Sequence, residues 1–265
     1  MNYSQEHLLY LKKQKRQSIF IHCMRIGVLV LLLGIWELAA DLELVNPFIT
    51  SSPSRIVLCI VDLFRNGSLL FHIWTTLWET LLGFFLAVLI GFVLALFLWW
   101  SDGFRKIAEP YIVVLNALPK IALGPLIIIW CGTGSKAIVL MTILVSLIVA
   151  TLNLLNGFLA TDRGKIRLLE SMGAGQLQIL VKLVLPSSLP SILSMLKICV
   201  GMAWIGSIMG EYIVSKAGLG YLIVYGGQVF KLDLVMSATV ILCILAGVMY
   251  GVISLIEKRV VKHKA

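Results

Sequence analysis

The chain has 265 residues, of which 60% are hydrophobic and 13% charged, and its mean hydropathy is +1.00. A soluble globular domain carries about 25% charged residues, so this composition excludes a soluble protein and indicates one that lies mainly in lipid. The net charge of +9 comes from lysines and arginines between apolar segments, a placement typical of membrane topology and anionic-lipid contact rather than of nucleic-acid binding.

Apolar segments recur along the chain, whereas a cleaved signal peptide would give one such segment at the start. A bilayer core is spanned by about 20 apolar helical residues. After a basic tail at 1–25, we therefore predict six transmembrane helices, at about 26–40, 77–100, 108–131, 137–161, 187–211 and 234–256. They define one all-α membrane domain over 26–257, followed by a second basic tail at 258–265.

The connection between the first two predicted spans contains turn and helix-start signals, at Asn46-Pro47 and Ser52-Pro53. The short amphipathic stretch at 56–63 that follows predicts a helix lying near the membrane surface.

Proline and glycine inside the predicted spans indicate where helices break or pack closely. Pro119 and Pro125 interrupt the third span. Glycines four residues apart, at 206–210 and at 247–251, favour close helix packing in the fifth and sixth spans.

The cysteines and histidines do not predict a metal site. The five cysteines are far apart and form no C-x-x-C pair, and the four histidines show no helical pairing or acidic neighbours. We expect the cysteines to behave as small hydrophobic residues.

Lysines and arginines predict the orientation of the chain. With six spans, one side holds both tails, the turn at 102–109 and the connection at 162–185, and carries 15 of these residues, whereas the other side carries five. Cytoplasmic loops are enriched in basic residues. We therefore predict that both termini and the 162–185 connection lie in the cytoplasm.

The connection at 162–186 has the pattern of a structured element. Leu168, Leu169 and Met172 share one helical face, and a second apolar stripe runs from 177 to 184. Gly173-Ala174-Gly175 permits a sharp turn between them. The pattern predicts two short amphipathic helices at an angle. Another protein can grip them, or they can rest on lipid headgroups; the pattern leaves both open.

This segment resembles the cytoplasmic "EAA" signature of binding-protein-dependent ABC importer permeases, which reads Glu-Ala-Ala, three residues, Gly, nine residues and Ile-x-Leu-Pro. The chain matches it at Gly173, Leu183, Leu185 and Pro186. It departs at 167–169, where Arg-Leu-Leu replaces Glu-Ala-Ala and reverses the charge. The segments at 118–126, 201–205 and 218–221 also resemble the nitrate, sulfonate and taurine branch, so the similarity runs over about 36–260.

The resemblance implies a type I (MetI-like) importer permease in a bacterial inner membrane. It implies a homodimer that grips two copies of a separate ATP-binding cassette ATPase and receives a small anionic solute or vitamin precursor from an extracytoplasmic solute-binding protein. The residues expected to couple this chain to the ATPase are Arg167, Glu170, Ser171, Met172, Gly173, Ala174, Leu183, Leu185 and Pro186. The sequence contains no G-x-x-x-x-G-K-[ST] phosphate loop. We therefore expect ATP and Mg²⁺ on the partner ATPase, and no cofactor, metal or catalytic residue on this chain.

Three residues are candidates for the translocation path: Lys120, Trp204 and Glu211. A charge at the centre of a membrane helix costs at least about 2.5–3.5 kcal/mol and is a functional candidate. Lys120 can balance an anionic solute, or it can bond to carbonyls that the neighbouring prolines leave free, for structure alone. Glu37 and Glu79 are expected near span ends, where a carboxylate reaches water, and have no assigned role.

Two other classes of membrane protein remain as alternatives. A secondary transporter driven by an ion gradient favours inverted repeats and paired discontinuous helices, but only the third predicted span is interrupted. A membrane enzyme needs a cluster of nucleophile, base or metal ligands, and the sequence shows none.

Overall fold

The structure, a computed structural model, describes residues 5–44 and 50–262, and this part of the chain is helical without strands. The helices are α1 Gln5–Asp41, α2 Pro53–Arg65, α3 Ser68–Trp100, α4 Asp102–Ala117, α5 Gly124–Cys131, α6 Ser135–Leu159, α7 Arg163–Ser171, α8 Gln176–Ile179, α9 Leu185–Val214, α10 Leu219–Gln228 and α11 Leu232–Lys262. A 3-10 turn at Lys120–Leu123 precedes α5, and a π-helical turn at Leu180–Val184 joins α8 to α9. The predicted turn at Asn46-Pro47 and the outermost residues of both basic tails lie outside the described residues.

Six segments of the described chain are apolar enough to form membrane spans. Five are single helices, at Lys13–Asp41, Ser68–Trp100, Ser135–Leu159, Gln176–Val214 and Leu232–Val260. The sixth is the pair Asp102–Ala117 and Lys120–Cys131, which is bent by 84°. The predicted all-α fold with about six spans is confirmed.

The bend in the third span occurs at Leu118 and Pro119. Leu118 has an extended backbone, with φ −62° and ψ 131°, because a proline disfavours helical conformation in the residue before it. Pro125 lies in the first turn of α5, where its missing N–H costs nothing. The span therefore consists of two helices at a steep angle rather than one continuous helix.

Two helix starts differ from the predicted span starts in ways that matter for function. Helix α3 begins at Ser68 rather than 77, so Glu79 lies about three turns inside it. The second amphipathic stripe of the 162–186 segment is not a separate short helix, because α8, the π-helical turn and α9 form one continuous rod over Gln176–Val214.

Helix α6 packs between α3 and α9 and forms the centre of the bundle. A Cβ at Gly206 of α9 would lie 2.6 Å from Cα of Thr142 in α6, and one at Gly210 would lie 2.9 Å from Cα of Ile138. Gly83 of α3 faces the side chain of Thr142, which a Cβ would meet at 2.5 Å. Small residues therefore bring the backbones together, as the spacing at 206–210 predicts.

Helix α11 contacts the bundle in a different way. The ammonium of Lys197 in α9 lies 2.5 Å from the carboxylate of Glu257 in α11. Gly247 and Gly251 have no other atom of the described chain within 4 Å of an added Cβ, so the packing predicted for 247–251 is not made within a single chain.

The bundle has two ends, which we name after the short helices there. The α7 end gathers the last turn of α3, the start of α4, the last turn of α6, and helix α7. The α10 end gathers the first turns of α3, the last turn of α9 and the start of α10.

We expect Gly206→Ala to destabilise the protein by about 1–3 kcal/mol, the usual cost of overpacking, because the added methyl group meets backbone atoms of α6 that cannot move aside. The measurement is the Tm of the purified protein in detergent. Gly201→Ala is the matched control, since Gly201 lies on the same helix and nothing lies within 4 Å of its added Cβ. Equal Tm values for the two variants would contradict the close packing of α6 and α9.

Candidate functional site

Helix α7 has apolar side chains both on the side that faces the bundle and on the side that faces away from it. Ile166 and Leu169 pack against the hydrophobic core of the bundle. Leu168 and Met172 point away from it and are 61% and 74% exposed. The exposed side of α7 is therefore apolar, and either a partner protein or lipid headgroups can cover it.

Gly173 ends α7 in a conformation that favours glycine. Its φ is +79°, and its N–H donates to the carbonyl of Glu170 at 2.9 Å. The N–H of Ala174 donates to the carbonyl of Leu169 at 3.0 Å. This pair of bonds is the Schellman arrangement, in which a left-handed residue satisfies the last carbonyls of a helix. The glycine of the predicted motif therefore fixes the direction in which the chain leaves α7.

The remaining motif residues anchor the helix that follows. Leu183 and Leu185 pack against the core, and Pro186 lies in the first turn of α9. A proline within a helix removes a backbone donor and crowds the carbonyl four residues earlier, and the π-helical turn at Leu180–Val184 directly precedes it. Leu183 and Leu185 therefore attach the start of this membrane span to the core, whereas Pro186 is exposed.

A cavity of about 420 Å³ lies between α7 and the turn that joins α3 to α4. Arg167 and Glu170 of α7 line it, together with Trp99, Trp100 and Arg105. Arg167, which stands where the motif has glutamate, therefore faces the α3–α4 turn and not the surface formed by Leu168 and Met172. Another predicted coupling residue, Ser171, donates its hydroxyl to the carbonyl of Leu168 at 2.8 Å.

Lys120 lies directly after the break in the third span. Its ammonium donates to the carbonyl of Asn116 at 3.1 Å, one of the carbonyls that the break leaves without a helical donor. This is the structural bond anticipated for Lys120. An ammonium has three N–H donors, so this one bond does not exhaust its capacity.

At the α10 end, three backbone N–H groups donate to side chains of other helices. They are Gly218 to Nδ1 of His72 at 3.0 Å, Leu219 to Oγ1 of Thr76 at 2.7 Å, and Gly220 to Oε2 of Glu211 at 2.6 Å. The first N–H groups of a helix have no partner within it. Helix α10 is therefore capped by α3 and α9, and these bonds tie the three helices together.

Two glycines make this cap possible. Gly218 has φ +107°, and a Cβ there would lie 2.4 Å from the carboxyl carbon of Glu211. A Cβ at Gly220 would lie 2.8 Å from Oε2 of the same residue. The Gly-Leu-Gly segment thus brings backbone directly against a buried carboxylate.

The structure places Trp204 and Glu211 inside the bundle, where they are 4% and 1% exposed. Their role in a translocation path stays a prediction, and their visible role is in packing and in the cap of α10. Glu79 is also 1% exposed, so the expectation that its carboxylate reaches water was wrong. The reason is that α3 begins earlier than predicted and carries Glu79 into the bundle.

The sequence-based predictions missed His72, Thr76 and Glu79 as members of a common cluster. A signal was present, because Thr76, Glu79 and Thr80 are spaced three and four residues apart on an otherwise apolar helix. All three are buried, which marks a polar stripe facing the interior.

Comparison with known proteins places the chain among transport components. A family model described as "Binding-protein-dependent transport system inner membrane component" matches residues 87–262. The formylaminopyrimidine transport permease protein ThiX of Halalkalibacterium halodurans is 34% identical over 193 residues, which cover 72% of this chain and 76% of that protein. The taurine transport system permease protein TauC of Escherichia coli is 28% identical over 228 residues, or 84% and 83% of the two chains.

Solved structures agree on the fold. A chain of a bacterial ABC transporter that imports alginate superposes with a TM-score of 0.65 at 15% identity, covering 94% of this chain and 99% of that one. A chain of the inward-facing MetNI methionine transporter superposes with a TM-score of 0.63 at 20% identity, covering 72% and 97%. The predicted MetI-like permease fold is confirmed.

We expect Gly173→Ala to loosen the end of α7, because a left-handed conformation costs a residue with a Cβ about 1–2 kcal/mol. The measurement is amide hydrogen exchange across 163–174, which should become faster. Gly175→Ala is the control, since Gly175 has φ −73° and an added Cβ there has open space. Unchanged exchange in Gly173→Ala would show that the positive φ is not required.

Proposed function

Because the chain belongs to the family of binding-protein-dependent ABC importer permeases, we propose that it forms the path for a small solute and is driven by a separate ATPase. The observation that carries this proposal is the family match over 87–262, which includes α7 and its exposed apolar residues. ATP and Mg²⁺ would bind the ATPase, and a solute-binding protein would deliver the solute on the other side.

The geometry of α7 supports its proposed role as the ATPase contact. Leu168 and Met172 project from the α7 end, while Ile166 and Leu169 hold the same helix on the bundle. Gly173 fixes the turn, and the helix beginning at Gln176 runs without interruption to Val214. A push on α7 is therefore transmitted along a rigid rod to the α10 end.

This role requires the α7 end to face the cytoplasm, where ATP is available. The distribution of basic residues supports that orientation, since the side with both tails and α7 carries 15 lysines and arginines against five on the other side. We therefore propose a multi-pass protein of the bacterial inner membrane with both termini in the cytoplasm.

A polar groove on the bundle supports a path shared by two copies of the chain. Asn153, Asn156, Ser191 and Ser194 line a cavity of about 380 Å³ on α6 and α9, and Asn156 and Ser194 are exposed. Polar side chains on membrane-spanning helices usually face protein or a water-filled cavity rather than lipid. A homodimer in which the two grooves face each other would give them such an environment.

We propose that the solute is small and anionic, or a pyrimidine-type vitamin precursor. The relatives support both classes, because one is a formylaminopyrimidine permease and another a permease for taurine, which carries an anionic sulfonate group beside its ammonium group. For an anion, Lys120 supplies a cation at the break of the third span, with N–H donors left after its bond to Asn116.

The ATPase contact is tested with Leu168→Glu, which places a carboxylate on the exposed apolar part of α7. We expect this variant to be inserted and folded but to lose co-purification of its ATPase, because burying an unpaired charge in an interface is costly. Leu58→Glu is the matched control: Leu58 is 64% exposed, against 61% for Leu168, but it lies on α2. Retention of the ATPase by Leu168→Glu would place the drive contact elsewhere.

The role of Lys120 is tested with Lys120→Gln, which keeps an N–H donor for the carbonyl of Asn116 but removes the charge. If the charge serves an anionic solute, uptake in a reconstituted importer should fall at least about tenfold, corresponding to the loss of one charge-assisted hydrogen bond. Lys120→Arg, which keeps both charge and donor, is the control. Normal uptake with Lys120→Gln would show that Lys120 has only a structural role.

A further inference from the structure

The two buried glutamates at the α10 end form a close pair that the transport function does not explain. Glu79 of α3 and Glu211 of α9 are each 1% exposed. Thr80, the neighbour of Glu79 on α3, donates its hydroxyl to Ser207 of α9 at 2.7 Å. Ser207 lies one turn before Glu211, so the carboxyl of Glu79 faces that of Glu211, with the hydroxyl of Ser135 at the start of α6 also beside it. The pair therefore sits where α3, α6 and α9 converge.

The hydrogen bonds around the pair are unequal. Oε2 of Glu211 accepts the N–H of Gly220, and the N–H of Tyr221 also faces this carboxyl. Both donors belong to the first turn of α10, where the helix dipole favours a negative charge. Of the two carboxyls, Glu211 therefore has the surroundings that are more favourable for a negative charge.

Among the described residues, the donor beside Glu79 is the hydroxyl of Ser135 rather than a backbone N–H group. Oε2 of Glu79 is buried without a hydrogen-bond partner among the described residues, and the same is true of Oε1 of Glu211. Two carboxylates in contact and away from water cannot both stay ionised, because their repulsion adds to the cost of burial. A single proton removes the repulsion and supplies the donor that the two oxygens lack.

We propose that Glu79 and Glu211 form a buried proton-binding site in which Glu79 carries the proton and donates it in a hydrogen bond to Glu211. Glu211 then remains the negatively charged acceptor for the start of α10. The proton is thus a structural ligand, and Glu79 is a positioning residue that acts on α10 through Glu211.

Other titratable groups near the pair act in a different pH range. His72 of α3 accepts the N–H of Gly218 at Nδ1, and its ring stacks on Tyr221 of α10 with 6.1 Å between ring centroids. Protonation of Nδ1 in acid would remove this acceptor. Lys136 of α6 and Lys216, which precedes α10, are exposed. The pair is therefore tested between neutral pH and about pH 9, above the range in which a histidine changes its charge and below the range in which tyrosines and lysines do.

The sign of the pH dependence follows from proton binding. The folded protein holds one proton on the pair, whereas exposed carboxyls in the unfolded chain are both ionised at neutral pH. A folded state that binds more protons loses stability as the pH rises. The Tm of the wild-type protein should therefore fall as the pH rises above neutral.

The experiment compares Glu79→Gln, Glu79→Ala and wild type as purified full-length protein, with Tm measured from neutral to alkaline pH. Glutamine keeps an N–H donor toward Glu211 and has no proton to lose. We expect Glu79→Gln to stay within about 2 °C of wild type at neutral pH, a marginal change for a chain of this size. In wild type we expect the Tm to fall by several degrees as the pH rises, and this fall should be absent in Glu79→Gln. Glu79→Ala should be less stable than both throughout.

Each alternative result overturns the proposal. If Glu79→Gln is as unstable as Glu79→Ala, Glu79 acts as an ionised carboxylate. If Glu79→Gln and wild type show the same alkaline fall, the proton is not on this pair. A wild-type Tm that follows the concentration of Na⁺ rather than pH would indicate a bound cation instead.

Glu37→Gln is the control for loss of a carboxylate at this side of the chain. Glu37 accepts the N–H of Ser54 at 3.0 Å, and this variant should keep the wild-type pH dependence. The Tm comparison requires no ATPase, so its result is independent of the proposed transport function. Uptake measured with the same variants shows whether the position of α10 also matters for transport.

Discussion

The close approach of α6 and α9 is the contact on which both ends of the protein depend. Gly206 and Gly210 allow the backbone of α9 to lie directly against Thr142 and Ile138 of α6. In lipid no hydrophobic effect drives helices together, so van der Waals packing of this kind has to hold them. Because α9 begins in the rod that follows α7 and carries Glu211 in its last turn, the position of that contact sets the position of both ends.

Backbone hydrogen bonding explains where the remaining polar groups are found. A membrane interior offers no water to unpaired N–H and C=O groups, so each place where a helix breaks needs side-chain or backbone partners. At the break after α4 the partner is the ammonium of Lys120. At the start of α10 the partners are His72, Thr76 and Glu211. At the end of α7, which lies outside the membrane spans, the backbone itself supplies the bonds, because Gly173 adopts a positive φ.

The sequence was sufficient for the features that rest on local pattern. Long apolar segments predicted the all-α fold, the prolines predicted the interruption of the third span, and the spacing of Gly206 and Gly210 predicted close packing. It was insufficient where the outcome depends on several helices at once. Nothing local to Glu79 indicates that Glu211, 132 positions further along the chain, lies beside it, and the caps of α10 join residues that are 143 and 146 positions apart.

The 162–186 segment also combines features that the sequence predicted with features that it did not. Its apolar stripes and Gly173 were sufficient to predict a helix followed by a turn, but not that the second stripe continues into α9 as one rod. In this rod Leu183 and Leu185 pack on the core.

The exchange of Glu-Ala-Ala for Arg-Leu-Leu is divided between two surfaces. Arg167 faces the α3–α4 turn, Leu169 packs on the core, and Leu168 alone of the three belongs to the exposed apolar surface. The charge reversal therefore falls on Arg167, which is exposed beside the open cavity at the α3–α4 turn and next to the apolar surface of Leu168 and Met172.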